Sequence, residues 1–180
     1  IVVNCGTHTK SYQWADSLRR TPAHSTLTLN HRDVMDIRDN GSIKNSPSQV
    51  VSERHEENGG LLLESMHDGY VTDFGMKHVR RVYISNKGQD IRGEDSVFGN
   101  QPSDDVITSQ IRFHLHPKVR VSLIRHGTSA LLRLYSGSGW RFEQSGAWLS
   151  LEESVYMGGD DTGSMPVKTQ QLVLNFDIEA

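Results

Sequence analysis

Nine histidines in 180 residues raise metal binding and proton transfer as the first chemistries to consider, because neutral imidazole is a common metal ligand and titrates near neutrality. The most suggestive pair is His114 and His116, within Ile111-Arg112-Phe113-His114-Leu115-His116. In a strand, residues two apart point to the same side, so both rings share a face with the Arg112 guanidinium. A cupin-type iron site needs a carboxylate shortly after such a pair. The following Pro117-Lys118-Val119-Arg120-Val121-Ser122 supplies none and carries basic charge, so the dioxygenase reading stops at its third ligand. Two readings of the row stay open: a plain polar sheet face, or a face whose guanidinium and imidazoles bind an acidic sugar.

Other candidate groups are weaker. Cys5 is the only cysteine, which excludes an intramolecular disulfide, and beside an apolar strand it reads as a small buried hydrophobe rather than a nucleophile. Gly158-Gly159-Asp160-Asp161-Thr162-Gly163 is acidic, but it lacks the spaced oxygen ligands and distal glutamate of a calcium loop and reads as a solvated turn. With 19 basic and 22 acidic residues the net charge is −3, against nucleic acid or an anionic membrane as the main partner, while leaving room for a local basic groove. No apolar run is long enough to cross a bilayer and no signal segment opens the chain, so a soluble protein without a membrane partner is expected.

The elements that must position these groups are strands. Thr26-Leu27-Thr28-Leu29 and Arg81-Val82-Tyr83-Ile84-Ser85 alternate apolar and polar residues as Ile111–His116 does, the pattern of antiparallel sheets with one face packed and the other wet. The spacing predicts strands over Ile1–Cys5, Ser25–Asn30, Gln49–Glu53, Leu61–Met66, Val79–Asn86 and Asp90–Gly93, then Arg112–His116, Val119–Arg125, Ala130–Tyr135, Trp140–Glu143, Trp148–Met157 and Gln170–Phe176. Turn signals at Asn40-Gly41, Asn58-Gly59-Gly60 and Lys87-Gly88 punctuate them. Gly6–Ala23 reads mostly as loop, with one helical turn marked by Trp14 and Leu18, and the loops Phe98–Asp105 and Gly158–Pro166 as mobile. Trp140 and Trp148 read as core or sheet-edge aromatics. The expectation is a single all-β domain over 1–180, an antiparallel β-sandwich. Its start in Ile1-Val2-Val3 without methionine reads as a strand cut from a longer protein. Such an unpaired edge, free of charge and proline, invites pairing with a second chain into a homodimer.

In order along the chain, Ala23-His24-Ser25-Thr26-Leu27, Arg80–Val97, Arg112–Pro117, Gly139–Phe142, Glu152–Met157 and Gln170–Leu174 together resemble the heparinase II/III-like family, in particular its bacterial branch. The resemblance runs from Ile1 to Phe176. It implies a polysaccharide lyase built from an N-terminal α/α-toroid and a large β-sandwich, of which this chain is the C-terminal part, with an acidic polysaccharide such as a glycosaminoglycan as substrate and the periplasm as location. Such lyases neutralise a uronate carboxylate, remove the C5 proton with a base and protonate the leaving oxygen. The principal Tyr and His come from the toroid and a His-x-His-x-Asp segment from a strand before Ile1, so no catalytic residue is assigned here and the chain alone is expected to be inactive.

The resemblance also implies a structural zinc site in the parent protein. Family members place Asp where this chain has Asn4 and His where it has His24, and the neutral Asn4 oxygen is a poor zinc ligand. His67-Asp68-Gly69-Tyr70 with His78 and Arg80 resembles a segment near the sandwich–toroid cleft. There Arg80 is suited to clamp a carboxylate and Tyr70 to stack on a pyranose. The alternative is a structural ion pair of Arg80 or Arg81 with Asp68 or Asp73. The expected substrate-binding set is thus His67, Tyr70, His78, Arg80, Arg112, His114 and His116. A different class also stays open: a non-catalytic carbohydrate-binding or structural sandwich.

Overall fold

The structure is a computed structural model, which describes residues 1–57, 59–100, 105–158 and 165–179. Residues 101–104 of the expected loop Phe98–Asp105, 159–164 of Gly158–Pro166, and Asn58 of the Asn58-Gly59-Gly60 turn lie outside the described residues. In chain order the elements are β1 (Val2–Val3), α1 (Tyr12–Arg19), a 3₁₀ turn (Thr21–Ala23), β2 (Leu27–Leu29), β3 (Asp36–Ile37) and β4 (Ile43–Lys44). Next come β5 (Val50–Glu57), β6 (Gly60–Tyr70), the short α2 (Val71–Phe74), β7 (Met76–Ile84) and β8 (Ile91–Gly99). The chain closes with β9 (Ile107–Leu115), β10 (Arg120–Ile124), β11 (Ser129–Arg133), β12 (Gly139–Glu143), β13 (Trp148–Tyr156) and β14 (Val167–Ile178). Among the described residues no helix is long and apolar enough to cross a membrane.

The chain forms two compact units, one of Ile1–Asp33 with Val106–Glu179 and one of Val34–Asp105. The first is the sandwich. One antiparallel sheet runs β1-β9-β14-β13, with β2 also pairing β9, and a second runs β10-β11-β12. Alternation puts Phe113 and Leu115 of β9, Leu172 and Leu174 of β14, and Leu149 and Leu151 of β13 on one face. That face packs against Ala130, Leu132, Trp140 and Phe142 of the smaller sheet, with Phe113 and Phe142 edge to face at 5.3 Å. Ala130 and Leu172 are wholly buried, the apolar burial that drives this layering. Trp140 is thus a core aromatic, whereas Trp148 is largely exposed. β1 pairs with β9 along one side, Val2 opposite Leu115, so the N-terminal strand is only half open.

Gly6–Ala23 differs from the expected loop. Ser11 caps α1 by accepting the Trp14 N–H at 3.5 Å, and Trp14 and Leu18, one turn apart, pack on Cys5 and Met157. The Asp16–Arg20 pair, at 2.9 Å and four residues apart, spans the helix end. A polar cap and an i,i+4 pair therefore sustain two turns where the apolar pattern alone marks one.

The second unit is the four-stranded meander β5-β6-β7-β8 with the β3–β4 hairpin. Strand β8 extends well past the expected Asp90–Gly93, because all nine of its residues pair with β7. Its last residue explains a glycine: Gly99 has φ +148°, and a Cβ there would lie 2.0 Å from the Gly75 carbonyl oxygen.

Candidate functional site

Four of the expected residues converge on one face of the meander. The β6–β7 register sets His67 opposite His78, and the β7–β8 register sets Arg80 opposite Asp95. Hydrogen bonds join them in a fixed direction. The Gly69 N–H donates to His67 Nδ1 at 3.2 Å, so the His67 proton sits on Nε2 and is given to His78 Nδ1 at 3.2 Å. His78 then carries its proton on Nε2 and donates to Asp95 Oδ1 at 2.7 Å. Arg80 completes the cluster with Nε on the same oxygen at 2.7 Å and Nη2 on Oδ2 at 3.0 Å, a bidentate fork.

Electrostatics follow from that order. His78 and the Asp95 carboxylate are buried. Burial would raise the Asp95 pKa, but the bonds from His78 and Arg80 outweigh it and hold the carboxyl below its ordinary range. Burial above all, with the neighbouring His78 and the Arg80 guanidinium adding to it, pushes His67 down from 6.5 to about 4. Tyr70, 1% exposed, packs its ring 5.6 Å from His67. Between them β6 slips register at Asp68 and Gly69. Asp68 turns to accept the N–H groups of Ser48 and Gln49 at 2.8 and 3.0 Å and the Ser48 hydroxyl. Gly69 passes so close to Val34 that a Cβ would lie 2.5 Å from its Cγ1.

The expected ion pairs form with other partners. Arg80 takes Asp95, and Arg81, on the opposite face, bridges Glu64 and Glu94. Asp95 is the member that sequence reasoning missed, and the signal was present. A hairpin centred on Lys87-Gly88 pairs residues equally far from the turn, which sets Arg80 against Asp95.

The other candidates lie in the sandwich unit. Arg112 and His114 share a face as expected, yet both are buried. Alternation identifies a face, not its solvation, and here hydrogen bonds make a buried polar face tolerable. Arg112 donates to Thr28 Oγ1 at 2.8 Å and Gln110 Oε1 at 2.6 Å. His114 donates from Nε2 to the Pro22 carbonyl at 2.9 Å and accepts the Ser154 hydroxyl on Nδ1 at 2.7 Å. Burial lowers its pKa more than the Pro22 bond raises it. His116 falls just beyond β9, its Nδ1 accepting the Lys118 N–H at 3.1 Å and its ring against Tyr156. Cys5 Sγ lies 3.4 Å from His114 Nδ1, and burial pushes its thiol pKa up, as suits an inert core cysteine.

Asn4 and the segment of His24 do come together. Asn4 Oδ1 accepts the Ser25 N–H at 2.9 Å, and the Ser25 hydroxyl donates to the Val3 carbonyl at 2.6 Å while accepting the His114 N–H at 2.9 Å. These residues by themselves do not fit zinc: the Asn4 oxygen is neutral and engaged, and among the described residues no three His, Cys, Asp or Glu side chains gather into a ligand set. Chemically, both clusters are locked. Each of the rings of His67, His78 and His114 has both nitrogens engaged, so these imidazoles hold shape rather than wait for a proton.

Known proteins give the arrangement a context. A mutant of heparan sulfate lyase HepC from Pedobacter heparinus superposes with a TM-score of 0.74 at 16% identity, over 98% of this chain and 26% of that one. Heparinase III does so with a TM-score of 0.66 at 16% identity, over 98% of this chain and 25% of that one. By sequence, FtsZ-localized protein C of Caulobacter vibrioides is 30% identical over 138 residues, 73% of this chain and 23% of that protein. The chain thus spans about a quarter of the length of each of these proteins. The profile of the family described as heparinase II/III-like, C-terminal, matches residues 1–179. The chain belongs to that heparinase II/III-like C-terminal family.

Proposed function

We propose that this chain is the acidic-polysaccharide-binding C-terminal sandwich of a lyase that cleaves uronic-acid-containing polymers by β-elimination, and that the chain itself transfers no proton. The observation that carries the reading is the family match over residues 1–179. The locked imidazoles support the division of labour: a general base needs a lone pair within reach of substrate, and those of His67, His78 and His114 are spent internally. In this reading Arg80 and His116, both only partly buried, meet the polymer. Arg80, its fork held by Asp95, lends positive charge to the surface that meets a uronate carboxylate. His67, Tyr70, His78, Arg112 and His114 hold the binding strands in place. The C5 proton and the leaving oxygen are served by an N-terminal toroid domain.

The test is a longer polypeptide carrying this chain together with such a domain, incubated with heparan sulfate and with alginate. Ultraviolet absorbance from unsaturated uronate is the expected result, and intact polymer in both cases would overturn the lyase reading. A second reading has its own support: the 30% match is to a protein named for its localisation with FtsZ and not for any cleavage. A non-catalytic polysaccharide-binding module would bind in the same experiment and release nothing.

A further inference from the structure

We infer that the outer face of β10-β11-β12 is a second contact surface for an acidic polysaccharide, distinct from the Arg80 cluster and resting on the acidic-polysaccharide reading above. Ala130 and Leu132 of β11 point into the core, so alternation turns Leu131 and Arg133 outward, with Arg120 and Ser122 of β10 and Arg141 of β12 beside them. All five are exposed. Arg120 and Arg133 stand directly opposite each other, and among the described residues neither side chain forms an ion pair or hydrogen bond. Like charges opposed across strands destabilise a sheet by a few tenths to ~1 kcal/mol, so packing gives no reason for this pair. Arg141 and Arg125 share a single carboxylate, Glu143, at 3.1 and 2.9 Å. Among the described residues, the three guanidinium groups of this face and that of Arg125 in the turn after β10 thus have one paired carboxylate between them, in a chain whose net charge is −3.

Charge complementarity selects the occupant. Neighbouring strands lie ~4.8 Å apart, so Arg120, Arg133 and Arg141 step across roughly 10 Å of flat surface, a track for a linear polymer bearing regular anions. Planar guanidinium forks suit carboxylate and sulfate, and Leu131, 47% exposed, offers an apolar patch to the C–H face of a sugar ring. A lipid surface calls for apolar residues to insert and a nucleic acid for aromatic rings to stack. The aromatic residues of this sheet, Trp140 and Phe142, instead pack inward.

The test is titration calorimetry of the full chain with a heparan sulfate oligosaccharide at low salt. The variant Arg120→Ala/Arg133→Ala relieves the opposed pair and should melt no lower than the wild type. As control, Arg54→Ala/Arg92→Ala removes the same charge from exposed arginines of the meander unit. Loss of two charge-assisted contacts should weaken binding about tenfold and flatten its salt dependence, with the control within about twofold of wild type. Wild-type binding that the first variant leaves unchanged, or that the control weakens equally, overturns this surface while the general reading stands. A wild-type chain that binds no acidic oligosaccharide overturns both, and arginine-dependent binding to phosphatidylglycerol vesicles in its place assigns the face to lipid.

Discussion

Replacing Asp95 with asparagine keeps the shape of the side chain and removes its charge, and the hydrogen-bond chain makes the consequence calculable. Three donors meet the carboxylate: His78 Nε2 and Arg80 Nε on Oδ1, and Arg80 Nη2 on Oδ2. An amide oxygen at the first position sets its NH₂ against Arg80 Nη2, and the flipped amide sets it against the other two donors. His78 can yield by moving its proton to Nδ1, but that nitrogen faces the Nε2–H of His67. If His67 yields in turn, its proton lands on Nδ1, against the Gly69 N–H. For the flipped amide the conflict is thus passed along the chain unresolved, and for the first orientation it stays between the amide NH₂ and Arg80 Nη2. Breaking a buried ion pair typically costs 3–5 kcal/mol; with Arg80 partly exposed and an amide oxygen at the Oδ1 position still accepting from His78 and from Arg80 Nε, we expect about 3 kcal/mol. Urea unfolding measures it, with Asp90→Asn as control, since the exposed Asp90–Arg92 pair should contribute under about 1 kcal/mol. A loss at Asp95→Asn no larger than at the control would refute the locked-cluster reasoning.

Other expectations follow from the same structure. His67 titrates at 6.5 unfolded and at about 4 folded, so the unfolded chain takes up the proton first and stability falls as pH drops from 6.5 towards 4. At ~1.4 kcal/mol per pH unit the limit is about 3 kcal/mol, or about 2 after allowance for partial solvent exposure. His114, lowered for the same reason, adds in the same direction, and a His67→Gln chain with an unchanged stability slope in this window would contradict the assignment. Gly99→Ala sets a methyl against the Gly75 carbonyl and should cost more than about 2 kcal/mol in thermal unfolding; an unchanged melt would mean the strand ends do not approach as described. Cys5, buried with a raised pKa, should react with a thiol reagent only at the rate of unfolding, and fast modification of the native chain would show that the packing of Leu18 and Met157 does not cover it.

How much of this was legible in the sequence varied with the kind of information required. Period-two alternation placed nearly every strand of the sandwich, because each strand packs one apolar face, as at Phe113 and Leu172. The same alternation misjudged Arg112 and His114, since it cannot tell a face bathed in water from one covered and hydrogen-bonded, as His114 is to Pro22. β3 and β4, two residues each, carry no periodic signal at that length. The clustering of His67, Tyr70, His78 and Arg80 was visible as proximity in sequence, but Asp95 required the register of a third strand. The opposed arginines at 120 and 133 were hidden for the same reason, because their meeting depends on how β10 folds back on β11.

In the function proposed above, this chain grips an acidic polymer and leaves the proton transfer to another domain. The most direct measurement is a single mixture of the isolated chain with heparan sulfate, followed by calorimetry for binding and by ultraviolet absorbance for unsaturated uronate. Binding with no rise in absorbance is the expected result. A rise above the protein-free control would contradict the account, because it would require a proton-transferring pair within these residues, where the imidazoles of His67, His78 and His114 are all engaged.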